Sequence, residues 1–252
     1  MAVQFVSVEE ARARKGLRMV VVGNVPSPWG EAAKGFFHIK GLEFVAVRLA
    51  YDDPALAQWA GQLSGPVVFH DDEPPRSGWA EILMLTERLA PPPLLSLEPN
   101  ARGRAIELAN DFCGERGLGW TRRLQLVHAS RQKAGGFPGR VAAYLGGKYG
   151  YDETQAAGYT PRVIELLGKF AAALRKSGGP YYFGGELNAV DVYSAAFMAL
   201  LAPLPEARCA MEPWCRAAFE HLDDATRGAL DPILLEHRDM MYARHLETPL
   251  SL

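Results

Sequence analysis

The chain has 252 residues, and its 27 basic and 29 acidic residues give a formal net charge of -2. This balance disfavours a general nucleic-acid binder or a protein of anionic membrane surfaces, since both depend on clustered Lys and Arg. There is no apolar run long enough to span a bilayer and no secretory signal pattern at the start. The cysteines at 113, 209 and 215 form neither a dithiol motif nor a metal-ligand pair. We therefore expect a cytoplasmic protein with reduced thiols and no bound metal.

The stretch after an N-terminal extension of residues 1–16 opens with a strand and a helix. The Val-rich run Leu17–Val22 predicts a short buried strand. Ser27 is a favourable N-cap for the helix that follows, Pro28 suits its first position, and Gly41 ends it. This segment therefore predicts a strand that leads directly into a helix start carrying a hydroxyl.

The alternation of strands and helices continues to residue 90. The run LEFVAVRL at 42–49 predicts a second strand, which should lie parallel to the first through a right-handed crossover. A short helix is predicted around Leu56–Trp59. A strand opening at Gly65-Pro66, a polar turn with room for an edge strand, and a helix at 77–89 complete the unit. The order βαβ-α-ββα predicts a small α/β domain at 17–90.

The second half is predicted to be helical throughout. The proline-rich sequence APPPLLSLEPN cannot continue a helix, so residues 91–100 are predicted to form a linker that holds two units at a fixed spacing. Residues 101–252 then form an all-helical domain. Asn100 is the predicted cap of its first helix and Thr160 begins a later one, whereas the Gly-rich segment 135–158 has no clear pattern.

Three local features of the α/β unit point to a ligand, and each also has a plainer structural interpretation. Ser27 lies where unpaired N–H groups and the helix dipole favour an anion, although an isolated Ser-Pro is usually a simple cap. A cis bond before Pro66 would leave the Gly65 backbone free to pair with a peptide-like ligand. Ser77, with the charge of Arg76, can hold a carboxylate at a helix start or can merely cap that helix.

A capping box is predicted in the second half. In YYFGGELNAVDVYSAAFMALL, Asn188 stands three positions before Asp191, which is the spacing of that motif. The helix that follows is apolar on nearly all sides, so we expect it at the centre of the core. We therefore interpret Asn188 and Asp191 as structural cap residues and not as catalytic ones.

The order and spacing of these features resemble the soluble glutathione transferases. Ser27, Pro66 and Ser77 occupy the positions of the family's thioredoxin-like domain, and the capping box resembles that of its buried helix. The resemblance covers about 17–235 and is loosest at 120–160. It implies an α/β thioredoxin-like N-terminal domain followed by an all-α domain, a cis bond before Pro66, and a cytoplasmic homodimer.

The resemblance also implies that glutathione is the co-substrate and that no metal takes part. Ser27 is then the catalytic residue, whose hydroxyl donates to the glutathione sulfur. The glutathione-binding residues are Gly65, Pro66, Val67, Arg76 and Ser77. The candidates for the second-substrate pocket are Trp29, Cys113 and Trp120. Two positions depart from the family pattern, because Arg76 stands where the family has an acidic residue or Gln, and Gly65 stands where Val is frequent.

The first functional hypothesis is a glutathione-dependent transferase or lyase, of the detoxification kind, that activates the thiolate for attack on an electrophilic, apolar small molecule. The alternative is a non-catalytic binding or regulatory module that kept the fold, and the departures at Arg76 and Gly65 count in its favour. A glutathione-dependent thiol oxidoreductase is disfavoured, since Ser27 and Gly30 stand where a C-x-x-C motif has its cysteines. The acidic cluster at 70–73 is interpreted as a turn and not as a metal site.

Overall fold

The computed structural model describes residues 3–252, which contain four strands and twelve α-helices. The strands are β1 (Gln4–Phe5), β2 (Leu17–Val21), β3 (Phe44–Arg48) and β4 (Val67–His70). The helices are α1 (Val8–Ala13), α2 (Pro28–Ile39), α3 (Pro54–Ala60), α4 (Trp79–Leu89), α5 (Pro99–Cys113), α6 (Leu118–Arg131), α7 (Gly139–Tyr149), α8 (Tyr159–Ser177), α9 (Ala189–Phe197), α10 (Pro213–Glu220), α11 (Asp224–Ala229) and α12 (Pro232–Arg244). Two 3-10 helices lie at Glu153–Gly158 and Met198–Leu200. The predicted fold class, a small α/β domain followed by helices, is confirmed.

The four strands form one mixed sheet in the order β1-β3-β2-β4. β2 and β3 pair in parallel, as the crossover through α2 predicts, and β4 runs antiparallel to β2. β1 lies in the N-terminal extension and adds a parallel strand to the free edge of β3. The extension is therefore built into the sheet.

Helices cover both faces of the sheet, which explains why four of the five residues of β2 are apolar. Met19 of β2 packs with Phe37 of α2 and Ile82 of α4 on one face. Val20 faces the other way and packs with Leu56 of α3 and with α1. All five residues of β2 are buried as a result.

α4 and α5 have caps other than the predicted ones. α4 begins at Trp79 with Gly78 as its N-cap, and the Glu81 carboxylate accepts a hydrogen bond from the Gly78 N–H at 3.0 Å, so Ser77 is not the cap. α5 is capped by Glu98, whose carboxylate accepts from the Asn100 N–H at 2.9 Å. Asn100 is therefore inside the first turn, because Pro suits the first helical position before it.

The Gly-rich segment without a clear sequence pattern contains α7 and the 3-10 helix Glu153–Gly158. α7 ends at Gly150, whose φ of 69° is the left-handed conformation that glycine adopts without a steric penalty. α8 begins at Tyr159, one residue before the predicted start. The Thr160 hydroxyl donates instead to the Asp223 carboxylate at 3.1 Å, which ties α8 to the start of α11.

α9 is buried along its whole length and opens with the capping box that its sequence predicts. The Asn188 side chain accepts from the Val190 N–H at 3.1 Å. Asp191 accepts from the Asn188 N–H at 2.8 Å, from the Tyr182 N–H at 2.9 Å, and from His237 Nε2 of α12 at 2.9 Å. Asp191 thus joins the cap of α9 to two other segments of the core.

The linker is fixed by a set of polar contacts that we call the linker clamp: Lys40, Glu87 and the backbone of residues 90–95. The buried Lys40 ammonium lies 2.9 Å from the Glu87 carboxylate and donates to the carbonyls of Ala90 and Pro92 at 2.7 and 2.6 Å. Glu87 in turn accepts from the Leu94 N–H at 3.0 Å. Every donor of the ammonium is used, as a buried charge requires.

No helix within residues 3–252 combines the length and the apolar composition needed to cross a bilayer.

Candidate active site

The topology of the sheet brings Ser27 and Pro66 to the same end of the molecule. β2 runs toward Ser27, which follows it after a short loop. The antiparallel register places Val20, near the end of β2, opposite Val67 at the start of β4. The loop that carries Ser27 and the Gly65–Pro66 peptide therefore leave the sheet on the same side.

Ser77 reaches the same end through a short backbone pairing. The Val68 N–H donates to the Arg76 carbonyl at 2.8 Å, and the Arg76 N–H donates back to the Val68 carbonyl at 2.9 Å. This antiparallel bridge puts Ser77 beside Val67. The Ser77 side chain is exposed and forms no hydrogen bond with another residue in 3–252.

The Ser27 hydroxyl does not cap α2, although Ser27 occupies the N-cap position. It forms no hydrogen bond to the helix, and only 8% of the residue is exposed. The Ser27 carbonyl accepts the first helical bond, from the Glu31 N–H at 2.8 Å. Because Pro28 has no N–H, the N–H groups of Trp29 and Gly30 are the ones left without an intrahelical acceptor. One hydroxyl and two amides are thus available to an anionic atom.

The Gly65–Pro66 peptide bond is cis, as the resemblance implies. Close packing explains why a glycine stands at position 65, because a Cβ there would lie 3.2 Å from the Val20 carbonyl oxygen and 3.4 Å from Val21 Cα. The departure at Gly65 therefore matches a close approach of this loop to β2.

The Arg76 guanidinium is turned toward Glu73 and not toward Ser27. It donates to the Glu73 carboxylate at 2.6 Å, which also accepts from Arg88 at 2.7 Å and from His70 Nδ1 at 2.8 Å. The hydrogen bonds from Arg88, then His70 and then Arg76 lower the pKa of Glu73 to about 2. Within residues 3–252, no group of three or more His, Cys, Asp or Glu side chains is placed to hold a metal ion.

Cys113 contributes its carbonyl and not its thiol to the region beside Ser27. The Trp29 indole Nε1 donates to the Cys113 carbonyl at 3.0 Å. The Cys113 thiol is buried in the helical core, where burial raises its pKa well above the ordinary range. Only the Cys113 carbonyl therefore lies against Trp29, while the thiol packs in the core.

Tyr149 lies between Trp29 and Trp120. Its ring stacks on Trp29, with centroids 6.3 Å apart and planes at 22°. It meets Trp120 edge to face at 4.7 Å, and the Tyr149 carbonyl accepts from the Trp120 indole at 2.9 Å. Trp120 and Tyr149 both line a cavity of about 430 Å³ between α6, the end of α7 and α8. Of the three predicted pocket residues, only Trp29 lies next to Ser27.

Arg123 is the functional candidate that sequence reasoning missed. Its guanidinium lies 4.6 Å from the centroid of the Trp29 ring and 5.4 Å from that of Tyr149, and the residue is 6% exposed. The neighbouring Arg122 is buried too, but it donates to the Leu200 carbonyl at 3.1 Å and to the Gln125 side chain at 2.5 Å. The one sequence signal was the pair of arginines in the middle of an otherwise buried helix.

Solved structures share this architecture over nearly the whole chain. A glutathione transferase family member from Pseudomonas fluorescens pf-5, with two glutathiones bound, is 15% identical with a TM-score of 0.64, covering 91% of this chain and 89% of that one. A maleylacetoacetate isomerase from Methylobacterium extorquens AM1, with bound malonate and glutathione, is 20% identical with a TM-score of 0.59. The match covers 93% of this chain and 97% of the isomerase chain. A rice glutathione transferase in complex with glutathione is 19% identical with a TM-score of 0.58, and the match covers 94% of each chain.

Neither a protein-family model nor a curated protein sequence matches the chain. At these low identities, the structural likeness establishes the fold. The chain has the fold of the soluble glutathione transferases, with a thioredoxin-like domain followed by an all-helical domain.

Proposed function

We propose that this protein is a glutathione-dependent transferase that activates the glutathione thiol with Ser27. The observation that carries the proposal is the uncommitted Ser27 hydroxyl at the start of α2. It lies at the same end of the sheet as the cis Pro66 peptide and the exposed Ser77. A serine that only capped its helix would have its hydroxyl bonded to the first turn.

The chemistry requires a thiolate at neutral pH. A free thiol has a pKa of about 8.5, so only a few per cent of it is ionised at pH 7. The Ser27 hydroxyl and the amides of Trp29 and Gly30 would donate to the sulfur, with the helix dipole behind them. Together they lower the thiol pKa by about 2 units, which corresponds to roughly 2.7 kcal/mol. The proton leaves to water, and the thiolate attacks the electrophile.

Binding of the tripeptide is assigned to the other residues at this end of the sheet. The Gly65 backbone pairs with the cysteinyl part of glutathione, and the Ser77 hydroxyl donates a hydrogen bond to the γ-glutamyl carboxylate. Arg76 contributes its backbone bridge to Val68, which holds Ser77 in place, because its guanidinium is engaged by Glu73.

We expect Ser77→Ala to weaken glutathione binding about 5- to 30-fold, since a hydrogen bond to a charged group is worth roughly 1–2 kcal/mol at an exposed position. Calorimetric titration of glutathione into the two proteins measures the ratio of their Kd values. Ser7→Ala is the matched control, because Ser7 is an exposed serine whose hydroxyl accepts from the Glu10 N–H at the start of α1. The control should bind glutathione as the unaltered protein does.

The same titration decides between the transferase and a non-catalytic module. One observation favours the module. Position 76 carries an arginine, whose guanidinium pairs with Glu73, so this position has no acidic side chain to accept a hydrogen bond from the glutamyl amine. If glutathione produces no heat, and S-alkyl glutathiones do not bind either, the transferase proposal fails. If the unaltered protein and Ser77→Ala bind glutathione with equal affinity, Ser77 has no role in glutathione binding.

We also propose that the protein is a cytoplasmic homodimer, in which the α/β domain of one chain packs on the helical domain of its partner. The support is the shared fold with the glutathione transferases. Sedimentation velocity at micromolar concentration should give the mass of two chains, about twice 27.6 kDa. A monomer at that concentration contradicts this part of the proposal.

A further inference from the structure

Two cations, Arg123 and Lys148, lie beside the rings of Trp29 and Tyr149. We call these four side chains the cationic mouth. Arg123 lies over both rings. Lys148 of α7 lies 5.7 Å from the Tyr149 ring centroid, and its ammonium donates to the Ser64 hydroxyl at 2.6 Å. Ser64 directly precedes the Gly65–Pro66 peptide, so the cationic mouth adjoins the proposed glutathione site.

The charges of the cationic mouth are not neutralised within the chain. No carboxylate in residues 3–252 lies within 4.0 Å of the Arg123 guanidinium or the Lys148 ammonium. Arg123 makes a single long hydrogen bond, at 3.4 Å, to the Gly119 carbonyl of its own helix. Partial burial, followed by the positive charge of Arg123, lowers the pKa of Lys148. A buried arginine without an acidic partner is costly, so an external anion is the natural partner.

We propose that the cationic mouth binds the electrophilic substrate through a carboxylate, while the aromatic rings contact its planar apolar body. The inference rests on the proposed function and names its substrate class. It also changes the expectation from sequence, which was an apolar electrophile without a defined charge. The planar guanidinium of Arg123 suits a two-point contact with a carboxylate, and Lys148 adds a second charge.

A chlorinated nitrobenzoate fits this description and gives a balanced reaction. The glutathione thiolate attacks the ring carbon that bears chlorine, and the new C–S bond forms as the C–Cl bond breaks. Chloride leaves with the bonding electrons, and the thiol proton goes to water. The nitro group accepts negative charge during the attack, and the carboxylate takes no part in bond making.

The test compares two probes that differ only in charge, 4-chloro-3-nitrobenzoate and 4-chloro-3-nitrobenzamide. Their affinities are measured by calorimetry without glutathione, so this arm does not depend on catalysis. We expect the benzoate to bind about 10- to 100-fold more tightly than the amide, as hydrogen bonds to charged groups allow. Adding saturating S-methylglutathione, which has no free thiol to react with the probe, should leave the benzoate bound.

Two variants and a matched control test whether Arg123 and Lys148 cause the tighter binding of the benzoate. Arg123→Gln and Lys148→Gln should each bring the benzoate-to-amide affinity ratio toward one. Although its ammonium is partly buried, the Lys148 residue as a whole is exposed and lies outside the core, so the test survives if Arg123→Gln fails to fold. Arg131→Gln is the control, because Arg131 is an exposed arginine of the same helix that lies 4.6 Å from the Tyr151 ring centroid. It should keep the ratio of the unaltered protein.

The outcomes separate this inference from the proposed function. Equal affinity for the two probes, or displacement of the benzoate by S-methylglutathione, overturns the inference, since displacement would assign the cationic mouth to glutathione itself. If the amide is conjugated to glutathione with the same kcat/KM as the benzoate, the proposed function stands and the inference fails. A clear benzoate preference without any conjugation supports the inference and contradicts the proposed function.

Discussion

Replacing Ser27 with alanine should lower turnover with glutathione about 10- to 100-fold at neutral pH, which corresponds to 1.4–2.7 kcal/mol of lost stabilisation of the thiolate. Glutathione should still bind, because the backbone and γ-glutamyl contacts remain. The pKa of the bound thiol should rise toward its free value. Thiolate absorbance of the bound complex, followed as a function of pH, measures this change directly.

The stability of the same variant tests the structural alternative. Since the Ser27 hydroxyl does not bond to α2, its removal should change the free energy of unfolding by less than about 0.5 kcal/mol. Asp53→Ala is the control: Asp53 caps α3 through bonds from the N–H groups of Ala55 and Leu56 at 2.9 and 3.0 Å, and its loss should cost about 1 kcal/mol. An unchanged thiol titration in Ser27→Ala, with a stability loss as large as that of Asp53→Ala, would make Ser27 a cap.

The largest effect on stability is expected for Asp191→Ala, at about 3–5 kcal/mol. The substitution leaves three buried donors without an acceptor: the N–H groups of Tyr182 and Asn188 and the ring nitrogen of His237. Water cannot replace the carboxylate, because Asp191 is completely buried. Thermal and denaturant-induced unfolding should show a Tm lower by about 10 °C for a chain of this length.

Asp231→Ala gives the comparison for a cap at the surface. Asp231 accepts from the Ile233 N–H at 3.1 Å at the start of α12, and its carboxylate also pairs with the exposed Arg175. Its loss should cost only about 1 kcal/mol. If Asp191→Ala kept its full Tm and lost glutathione affinity, the residue would belong to the binding site and its structural assignment would be wrong.

The parts of the fold that could be predicted are those encoded by neighbouring residues. The Val-rich strand β2, the Ser-Pro start of α2 and the spacing of Asn188 and Asp191 each lie within a few positions of sequence. The helix starts at Gly78 and Glu98 were missed because serine and asparagine are stronger caps in general. Here a glutamate side chain satisfies the first turn in each case, and the sequence offers no rule for choosing it over the stronger cap.

The residues of the candidate site also differ in whether short sequence motifs could predict them. Ser27, Pro66 and Ser77 belong to short motifs that the sheet register brings together. Arg123, Lys148 and Tyr149 were missed, because they come from helices that no motif connects to Ser27. α6 buries residues on all sides, so it lacks the one-sided apolar pattern that would have shown where Arg123 lies. The burial of the Cys113 thiol could not be predicted for the same reason, since the orientation of α5 decides which side of the helix the thiol faces.

The linker clamp has a consequence for the speed at which substrates enter. Trp29 belongs to the first domain and Arg123 to the second, so a hinge between the domains would open and close the cationic mouth on the microsecond-to-millisecond scale. The Lys40 ammonium, held by Glu87 and two linker carbonyls, removes that hinge. Entry then depends on smaller movements of α7, whose contacts with the opposite loop are the Lys148–Ser64 bond and a long one from Tyr144 to the Leu63 carbonyl. Breaking these two contacts requires only side-chain and loop movements, which take nanoseconds to microseconds and are therefore faster than the motion of a hinge.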